Sequence, residues 1–351
     1  MKPFFSLIVA CCDVEPYVRE CLDSVLSQPF ANWEAIIGVE TSKDGTEEIV
    51  REYVAKDARF KMFTAQRSGS CSASRNTGLD RASGDFVIFI DGDDTLAANA
   101  LGRLCAKMEK CPDADIYPCA LIESRTENES ERRMLDNFAT DLTEGLTGPE
   151  ATIHIYRKSK SPDWFMQMLV CRREFLASHQ LKCIHGLRRQ DWEFTPRALY
   201  LARKIVPLHE PFYLYRIRPG AISTTANETW RYNKDFAIIF RSLLGFYASV
   251  SKAPDFDDRV ACCWMAAWPT QIFLKWFHPA IVRGVSRRNR LETLQLLFAD
   301  GFGDFNKLIR GASLKRRMAG WWIRAFVKRP CLRTAAELFF SAYFALSSKK
   351  R

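Results

Sequence analysis

The chain has 351 residues, of which 47% are hydrophobic and 26% charged, a mixture typical of globular proteins. This length accommodates one large domain with an appendage, or two modest domains. The 51 basic residues exceed the 41 acidic ones, and residues 283–333 account for the excess with 13 basic and 3 acidic side chains. No stretch of 18 clean apolar residues occurs, which argues against a membrane-spanning helix.

The twelve cysteines show no metal-binding pattern, because no two of them are spaced as a CxxC pair. The apolar run near the N-terminus meets an acid at Asp13 and is too short for the core of a signal peptide. These features predict a cytoplasmic protein with reduced thiols.

The first hundred residues alternate between strand and helix patterns. Apolar runs predict strands over residues 4–10, 33–39, 60–63 and 86–90. The segments between them have apolar residues at helical spacing, and Asp13 is expected to cap the first helix. Repeated strand–helix–strand units form a parallel sheet with helices on both faces. Residues 123–150 are polar and are expected to form a loop or insertion.

Three loops leave the predicted strands at their carboxyl ends. They cover Cys11–Glu15, Glu40–Asp44 and Asp91–Asp94. Because ligands of such sheets bind beyond the carboxyl ends of the strands, we expect the three loops to converge on one crevice.

The run Asp91-Gly92-Asp93-Asp94 directly follows the most apolar predicted strand. Crowded carboxylates repel one another unless a cation is present, and Mg²⁺ or Mn²⁺ bridging them to a diphosphate relieves that repulsion. Such an ion also stabilises the charge on a departing nucleotide diphosphate. The other interpretation is a solvated turn in which Asp94 caps a helix.

Several short motifs occur in a fixed order over this region. They are Ser6-Leu7-Ile8-Val9, Tyr17, the run Cys21 to Gln28, Phe30, Asp44-Gly45-Thr46, the run Gly69 to Leu79 that contains Ala73-Ser74-Arg75-Asn76, then Ala82-x-Gly84-Asp85 and the DGDD run. Together they resemble the family 2 glycosyltransferases. The resemblance implies an α/β GT-A nucleotide-sugar-binding fold, with a mostly parallel Rossmann-like sheet and helices on both faces.

The expected domains follow from this resemblance and from the later sequence pattern. The glycosyltransferase catalytic domain covers 1–225, with a nucleotide-sugar half over 1–120 and an acceptor half over 121–225. A basic, aromatic helical region covers 226–351.

By the same resemblance, the loop after the first strand and the acid after the second strand hold the base and ribose of a nucleotide-sugar donor. The residues concerned are Ala10, Cys12, Glu15 and Glu40. The alternative for Glu40 is a solvated turn acid. Both turns depart from the usual family pattern, which leaves the donor open although a UDP-sugar is favoured.

The resemblance also assigns residues to the donor diphosphate. Arg75 stands where the family has an arginine near that group, and a guanidinium suits the task. Asp91, Gly92 and Asp93 frame the donor, with Asp91 and Asp93 as metal ligands and Asp93 the more direct of the two. The alternative for Arg75 is a surface ion pair.

The segment Arg189-Gln190-Asp191-Trp192-x-Phe194 resembles the acidic pair of the family followed by an aromatic residue. In inverting members the second acid is the catalytic base. Here Gln190 replaces the first acid and Asp191 remains, which suffices because one carboxylate can take the proton of an acceptor hydroxyl. The alternative for Asp191 is a helix N-cap. Further along, Arg216 or Arg218 could face the leaving diphosphate or simply solvate a loop.

Residues 283–351 combine arginine and lysine with tryptophan and phenylalanine. Such a segment can lie in a membrane interface with its cations on anionic lipid, which would place the protein on the inner face of the plasma membrane. The alternative is a helical appendage that packs on the catalytic domain or on a second copy of the chain. No recognition motif supports nucleic acid as a partner.

The resulting hypothesis is an inverting, metal-dependent glycosyltransferase that uses a nucleotide-sugar donor. Its acceptor, a glycan or lipid-linked glycan of the cell surface, rests on the resemblance and the basic tail. One alternative is a glycosyltransferase-like scaffold that has lost turnover, suggested by the altered turns. Another is a nucleotidyltransferase, which the absence of a Gly-rich basic loop after the first strand argues against.

Overall fold

A computed structural model describes the chain over residues 2–124, 133–138, 145–158, 165–218, 221, 229–254, 256, 291, 321–322, 325, 328–332 and 336. The chain divides into two compact units, Met1–Thr224 and Thr225–Arg351. The functional division into a catalytic domain over 1–225 and a C-terminal region over 226–351 stays a prediction.

The described part of the first unit contains one mixed sheet. In chain order its strands are Phe5–Cys11 (β1), Trp33–Glu40 (β2), Phe60–Ala65 (β3), Phe86–Asp91 (β4), Thr95–Leu96 (β5), Ile116–Ser124 (β6), Arg133–Leu135 (β7), Leu169–Arg172 (β8) and Leu208–Arg216 (β9). The strand order is β3-β2-β1-β4-β8-β6-β9-β5, and β7 pairs with β6.

The sheet is parallel in its first part and mixed in the rest. β1 pairs in parallel with β2 and β4, and β2 pairs in parallel with β3. β8 runs antiparallel to both β4 and β6, and β5 runs antiparallel to β9. The predicted α/β fold is confirmed, but its parallel character is limited to β1–β4 and to the pair β6–β9, because β8 is inserted between β4 and β6 in the opposite direction.

Helices alternate with the strands. In chain order they are Glu15–Leu26 (α1), Thr46–Lys56 (α2), Ser72–Arg81 (α3), Ala100–Lys110 (α4), Gly148–Lys158 (α5), Arg173–Ser178 (α6), Asp191–Leu201 (α7) and Thr229–Val250 (α8). α1 and α2 bury apolar side chains in the main core on one face of the sheet. α3 covers the other face so closely that a Cβ on Gly78 would lie 2.4 Å from Ile8 Cγ2.

The predicted loop over 123–150 is only partly a loop. β7 pairs with β6 within it, and α5 begins at Gly148. The polar sequence conceals β7 because two of its three side chains are exposed. Residues 125–132 and 139–144 of this segment lie outside the described residues.

Asp13 does not cap the first helix, contrary to the prediction. Its φ is 50°, in the left-handed region, and α1 begins two residues later at Glu15. The first N–H groups of this turn, on Val14 and Glu15, donate to Thr46 Oγ1 and Asp44 Oδ2 at 2.9 and 3.0 Å. The side chains of Asp44 and Thr46 therefore accept hydrogen bonds from the backbone N–H groups at the start of α1.

The described part of the second unit is mainly α8, which buries Ala237, Ile239 and Phe240. Most of the basic segment 283–351 lies outside the described residues, so its role at a membrane or on a protein surface stays a prediction. Within the described residues, no helix has the length and apolar character needed to cross a membrane.

Candidate active site

The carboxyl ends of β1, β2 and β4 lie side by side. Ala10, the buried residue of β1 predicted to line the donor pocket, pairs with Asp91 of β4. Beyond the strands, the N–H of Gly92 donates to the carbonyl oxygen of Ala10 at 2.9 Å. The N–H of Asp13 donates to Ser42 Oγ at 3.1 Å. The three loops expected to converge are thus adjacent, at the edge where α/β sheets bind ligands.

Gly92 lets the DGDD run pass over the end of β1. A Cβ at this position would lie 2.7 Å from Cys11 Sγ and 3.1 Å from Val14 Cγ2. Both contacts are closer than packed side chains accept. The glycine therefore fixes where the acids on either side of it are placed.

Asp91 lies between two side chains at the end of β4. It forms an ion pair with Arg75, whose side chain is only 4% exposed. Its Oδ2 accepts a hydrogen bond from Gln167 Nε2 at 2.6 Å. Burial lowers the pKa of Arg75, but the acidic groups around it, Asp91 foremost, together raise that pKa above its usual value. The alternative of a surface ion pair for Arg75 is therefore wrong, since this pair is buried.

Asp93 accepts a hydrogen bond from Arg218 Nε at 2.7 Å. Burial and the charge of Asp91 raise the pKa of Asp93, while Arg218 lowers it. The net rise means that Arg218 does not fully compensate the buried charge of Asp93. An additional cation would be favoured at this position.

Asp94 has a structural role. Its carboxylate accepts hydrogen bonds from the Tyr213 hydroxyl at 2.8 Å and from the N–H of Arg216 at 2.7 Å. The N–H of Asp91 donates to the same Tyr213 oxygen at 2.9 Å. Asp94 is followed by β5 rather than by a helix, so its interpretation as a helix cap is wrong. It joins the DGDD run to β9.

Glu40 is buried at the end of β2, not a solvated turn acid. Its carboxylate accepts hydrogen bonds from the N–H and Oγ of Ser68 at 3.0 and 3.2 Å, and from Ser74 Oγ at 3.2 Å. These contacts tie the end of β2 to α3 and to the loop before it.

The first loop holds the other two predicted donor residues. Burial raises the pKa of the Cys12 thiol, and the nearby Arg67 lowers it. Arg67 forms an ion pair with Asp13 at 2.6 Å. The carboxylate of Glu15 accepts a hydrogen bond from the N–H of Gly45 at 2.7 Å, which satisfies the start of α2. Glu15 thus has a structural contact whether or not it also touches a ligand.

Asp191 is the first residue of α7, and Gln190 precedes the helix without a side-chain cap. The alternative in which Asp191 is an N-cap is therefore wrong. Burial raises the pKa of Asp191 to about 6, although Arg75 and Arg189 oppose the rise. Asp191 and Asp91 thus both interact with the charge of Arg75. The predicted base lies near the predicted donor acids.

α3 connects these two acids. It carries Arg75, the partner of Asp91, and the neighbouring Asn76 forms two hydrogen bonds with the backbone of Cys183. The N–H of Cys183 donates to Asn76 Oδ1 at 2.9 Å, and Asn76 Nδ2 donates to the Cys183 carbonyl oxygen at 2.8 Å. This loop leads directly into α7.

Several residues at the site carry no recognisable sequence signal. Arg67 and Gln167 stand outside every motif, and only the fold brings them to the site.

Arg216 and Arg218 were candidates for the leaving diphosphate. Both guanidinium groups lie over the ring of Tyr17, at 5.2 and 5.0 Å from its centroid. Both side chains donate hydrogen bonds to Asp93, so they do not simply solvate a loop, and their role at the diphosphate stays a prediction.

Residues 6–178 match the family described as Glycosyl transferase family 2. This part of the chain is a family 2 glycosyltransferase domain. The matched residues include Glu40, Arg75, Asp91 and Asp93, and they end before Asp191.

Two bacterial relatives are similar to the chain in sequence. The chain is 30% identical over 225 residues to the uncharacterized glycosyltransferase EpsJ of Bacillus subtilis, covering 64% of each chain. It is 29% identical over 231 residues to the glycosyltransferase GlyA of Streptococcus pneumoniae, covering 64% of this chain and 32% of the relative. The chain thus spans less than two thirds of the length of these relatives.

The fold of the glycosyltransferase matches that of S. aureus TarS 1–349. The TM-score is 0.69 at 19% identity, covering 93% of this chain and 88% of the other. TarS structures in complex with UDP and with UDP-GlcNAc match with TM-scores of 0.62 and 0.53, at 18% and 19% identity. They cover 97% and 88% of this chain, and 89% and 90% of TarS. At this identity the likeness shows the fold alone.

The acids of the glycosyltransferase domain fit one particular kind of metal site. Within the described residues, no group of three or more His, Cys, Asp or Glu side chains could hold a metal ion. Asp91 and Asp93 flank Gly92, and burial together with the charge of Asp91 raises the pKa of Asp93, a rise that Arg218 offsets only in part. Mg²⁺ and Mn²⁺ commonly bind one or two carboxylates and complete their shell with substrate phosphates and water. The pair fits an ion that arrives with a diphosphate.

Proposed function

We propose that this protein is an inverting glycosyltransferase that moves a sugar from a UDP-sugar to a hydroxyl group of an acceptor. One observation carries the proposal: two acids are arranged about one buried arginine. Asp91 contacts Arg75, and Asp191 interacts with its charge. One acid serves the donor and the other serves the acceptor.

The donor occupies the crevice beyond β1, β2 and β4. Its base and ribose meet Ala10, Cys12, Glu15 and Glu40, and its diphosphate meets Arg75, Asp91, Gly92 and Asp93. The UDP and UDP-GlcNAc complexes of TarS, which shares the fold, support a uridine nucleotide. The cationic side chains Arg75 and Arg218 lie on the two acids, so positive groups stand beside the proposed position of the diphosphate.

Asp191 acts as the general base. Its carboxylate takes the proton of the acceptor hydroxyl while that oxygen attacks the anomeric carbon of the sugar. The bond from this carbon to the diphosphate oxygen breaks, and its electron pair leaves with the nucleotide diphosphate. Attack from the opposite side inverts the anomeric configuration. A base with a pKa of about 6 is ionised at neutral pH and still accepts a proton readily.

Asp91 and Asp93 would hold Mn²⁺ or Mg²⁺, which would supply positive charge to stabilise the departing nucleotide diphosphate. The protein contributes the fixed position of both acids. Gly92 sets the turn, and the Tyr213 hydroxyl holds the backbone N–H of Asp91 and the carboxylate of Asp94.

The proposed setting is the assembly of cell-surface polysaccharide, with a glycan or lipid-linked glycan as the acceptor. The descriptions of EpsJ and GlyA as glycosyltransferases support the reaction class. The basic segment 283–351 supports a position on an anionic membrane surface, by its composition.

Nucleotide release from a panel of nucleotide-sugars tests the proposal, because glycosyltransferases commonly hydrolyse their donor slowly when water replaces the acceptor. The panel contains UDP-glucose, UDP-galactose, UDP-GlcNAc and GDP-mannose, each with Mn²⁺ or with EDTA. We expect one UDP-sugar to be hydrolysed only with metal. Asp93→Ala and Asp191→Asn should abolish release, and Asp191→Asn should still bind UDP in calorimetry. Release that persists in both variants, or no nucleotide binding by the wild type, would contradict the proposal.

A further inference from the structure

Three buried side-chain atoms near the proposed site have no hydrogen-bond partner. They are Nε of Arg75, Oε1 of Gln167 and Oε1 of Gln190, all within the described part of the chain. Buried polar atoms are nearly always paired, so an unpaired one beside a proposed active site points to a missing ligand. Gln167 is the most informative of the three, because a hydrogen bond fixes the position of its amide nitrogen Nε2.

The orientation of the Gln167 amide is determined by Asp91. Its Nε2 donates to Asp91 Oδ2 at 2.6 Å. An ionised carboxylate only accepts hydrogen bonds, so the reverse orientation would set two oxygens against each other. Oε1 must therefore face away from Asp91. It is a hydrogen-bond acceptor to which no group donates.

Gln167 lies in a segment that contacts both elements carrying the proposed acids. It belongs to the short turn Met166–Met168, which packs against β4 and against α7. β4 ends at Asp91, and α7 begins at Asp191. The side chain is 5% exposed, so water does not readily compensate Oε1. The sugar of the donor must occupy the space between these acids if the proposed reaction is correct.

We propose that Gln167 is a specificity-determining residue whose Oε1 accepts a hydrogen bond from the transferred sugar. The inference rests on the proposed function. The group it needs is a donor, either a sugar hydroxyl or the N–H of an acetamido substituent. Diphosphate oxygens are acceptors and cannot satisfy it. A single amide thus holds Asp91 with one end and recognises the sugar with the other.

The test distinguishes a role of Gln167 in recognising the sugar from an effect of Gln167 on all donors through its hydrogen bond to Asp91. Gln167→Met keeps the length of the side chain and removes both hydrogen bonds. Wild type and variant are compared on the UDP-sugar that the panel identifies and on its deoxyfluoro analogues, one for each sugar hydroxyl. Fluorine cannot donate a hydrogen bond, and its effect on intrinsic reactivity cancels when the same analogue is compared in the two proteins.

We expect the wild type to lose about 10- to 100-fold in kcat/KM on one analogue beyond the intrinsic effect of fluorine. On the parent UDP-sugar, the kcat/KM of Gln167→Met should be lower than that of the wild type by the same factor. On the analogue, Gln167→Met should show no loss of kcat/KM beyond the intrinsic effect of fluorine. For UDP-GlcNAc, the comparison includes UDP-glucose, which lacks the acetamido N–H. If Gln167→Met weakens all sugars by one common factor, or raises the Mn²⁺ requirement equally for all of them, the proposal is overturned.

Gln28→Met is the matched control. Gln28 is also buried, but its amide is fully bonded to the backbone of Ser24, Ala97 and Leu101, away from the acids of the site. This control should lower the melting temperature and leave the ratios between analogues at wild-type values. If the wild type releases no nucleotide, the same comparison is made on donor binding by calorimetry. There, absence of all nucleotide binding defeats the proposed function, whereas binding with equal ratios in both proteins defeats only the role of Gln167.

Discussion

Three acids of the site have a raised pKa because the protein around them removes much of their water, and their contacts determine what each can do. Asp94 is buried, whereas Asp93 and Asp191 are partly exposed. Asp94 accepts hydrogen bonds from Tyr213 and Arg216, so it is occupied as a structural group. Asp93 is paired with Arg218, which offsets only in part the rise of its pKa by burial and by Asp91. Asp191 is held at a pKa of about 6, which suits a base at neutral pH. Identical side chains thus take different roles in one crevice.

The rate of nucleotide release should depend on the ionisation of Asp191. The base is active when deprotonated, so kcat should rise with pH through about 6 and level off near neutrality. The measurement is the initial rate from pH 4.5 to 8 at saturating donor and metal. A rate that is flat across this range would remove Asp191 from the chemical step.

The stability of the protein should respond to Asp191 in the opposite sense to activity. Its pKa is about 6 in the folded state and near 4 when unfolded, so the contribution of Asp191 to stability is greatest below pH 4 and is lost as pH rises through 6. Asp191→Asn cannot ionise and should be more stable than the wild type at pH 7, by up to about 3 kcal/mol. Urea unfolding at pH 7 and pH 4 measures this, and the difference should disappear at pH 4.

Gly92→Ala should destabilise the turn that carries the acids. Its Cβ would meet Cys11 Sγ at 2.7 Å, and overpacking of this kind costs about 1–3 kcal/mol. Metal-dependent nucleotide binding should weaken as well, because Asp91 and Asp93 flank the glycine. Gly245→Ala is the control, since no atom lies within 4 Å of its added Cβ on α8 and alanine favours a helix. Equal melting temperatures for wild type and Gly92→Ala would contradict the prediction.

At the level of elements, α3 holds the two halves of the site together. Arg75 reaches the end of β4, and Asn76 holds the loop before α7. Ser72 adds a third contact by accepting a hydrogen bond from the N–H of Gly186 at 2.8 Å. The distance between the donor acids and the base is thus set by one helix.

Asn76→Ala should therefore impair turnover more than nucleotide binding. The variant loses both bonds to Cys183, so the segment before Asp191 is no longer held, while Arg75 keeps Asp91. We expect kcat for nucleotide release to fall by about tenfold or more, with the Kd for UDP close to the wild-type value.

Ser83→Ala is the matched control for Asn76→Ala. It removes the Ser83 hydroxyl's hydrogen bond to Glu34, before β4 begins, and should affect stability alone. Equal losses of kcat and of UDP affinity in Asn76→Ala would contradict a positioning role for α3.

The elements that sequence predicted well are those with strong periodic patterns. β1 to β4 lie within two residues of their predicted bounds, because continuous apolar runs mark strands covered on both faces. The acids and Arg75 could be proposed as site residues because motifs surround them. β7 was missed because its exposed side chains lack a strand pattern. Gln167 was missed because a lone glutamine carries no signal until the fold places it beside Asp91.

Across the whole chain, sequence and structure agree on the α/β class but not on every local interpretation. A sequence alone does not determine which residues are buried, so exposure to solvent remained an alternative interpretation for Glu40 and Arg75. The structure excludes this alternative, because the two residues are 96% and 97% buried. The left-handed conformation of Asp13 could not be predicted from the sequence either, because it depends on contacts with the second loop. The proposed reaction uses groups from six elements, β1, α1, β2, α3, β4 and α7, which explains why no single motif contained it.

The central claim is a single-step displacement that inverts the sugar, with Asp191 as the base. The most direct test is proton NMR of the sugar released from an α-linked UDP-sugar, recorded before the anomers equilibrate. The first-formed sugar should be the β-anomer, and Asp191→Asn should release none above background. A first-formed α-anomer would show retention of configuration and contradict the proposed mechanism.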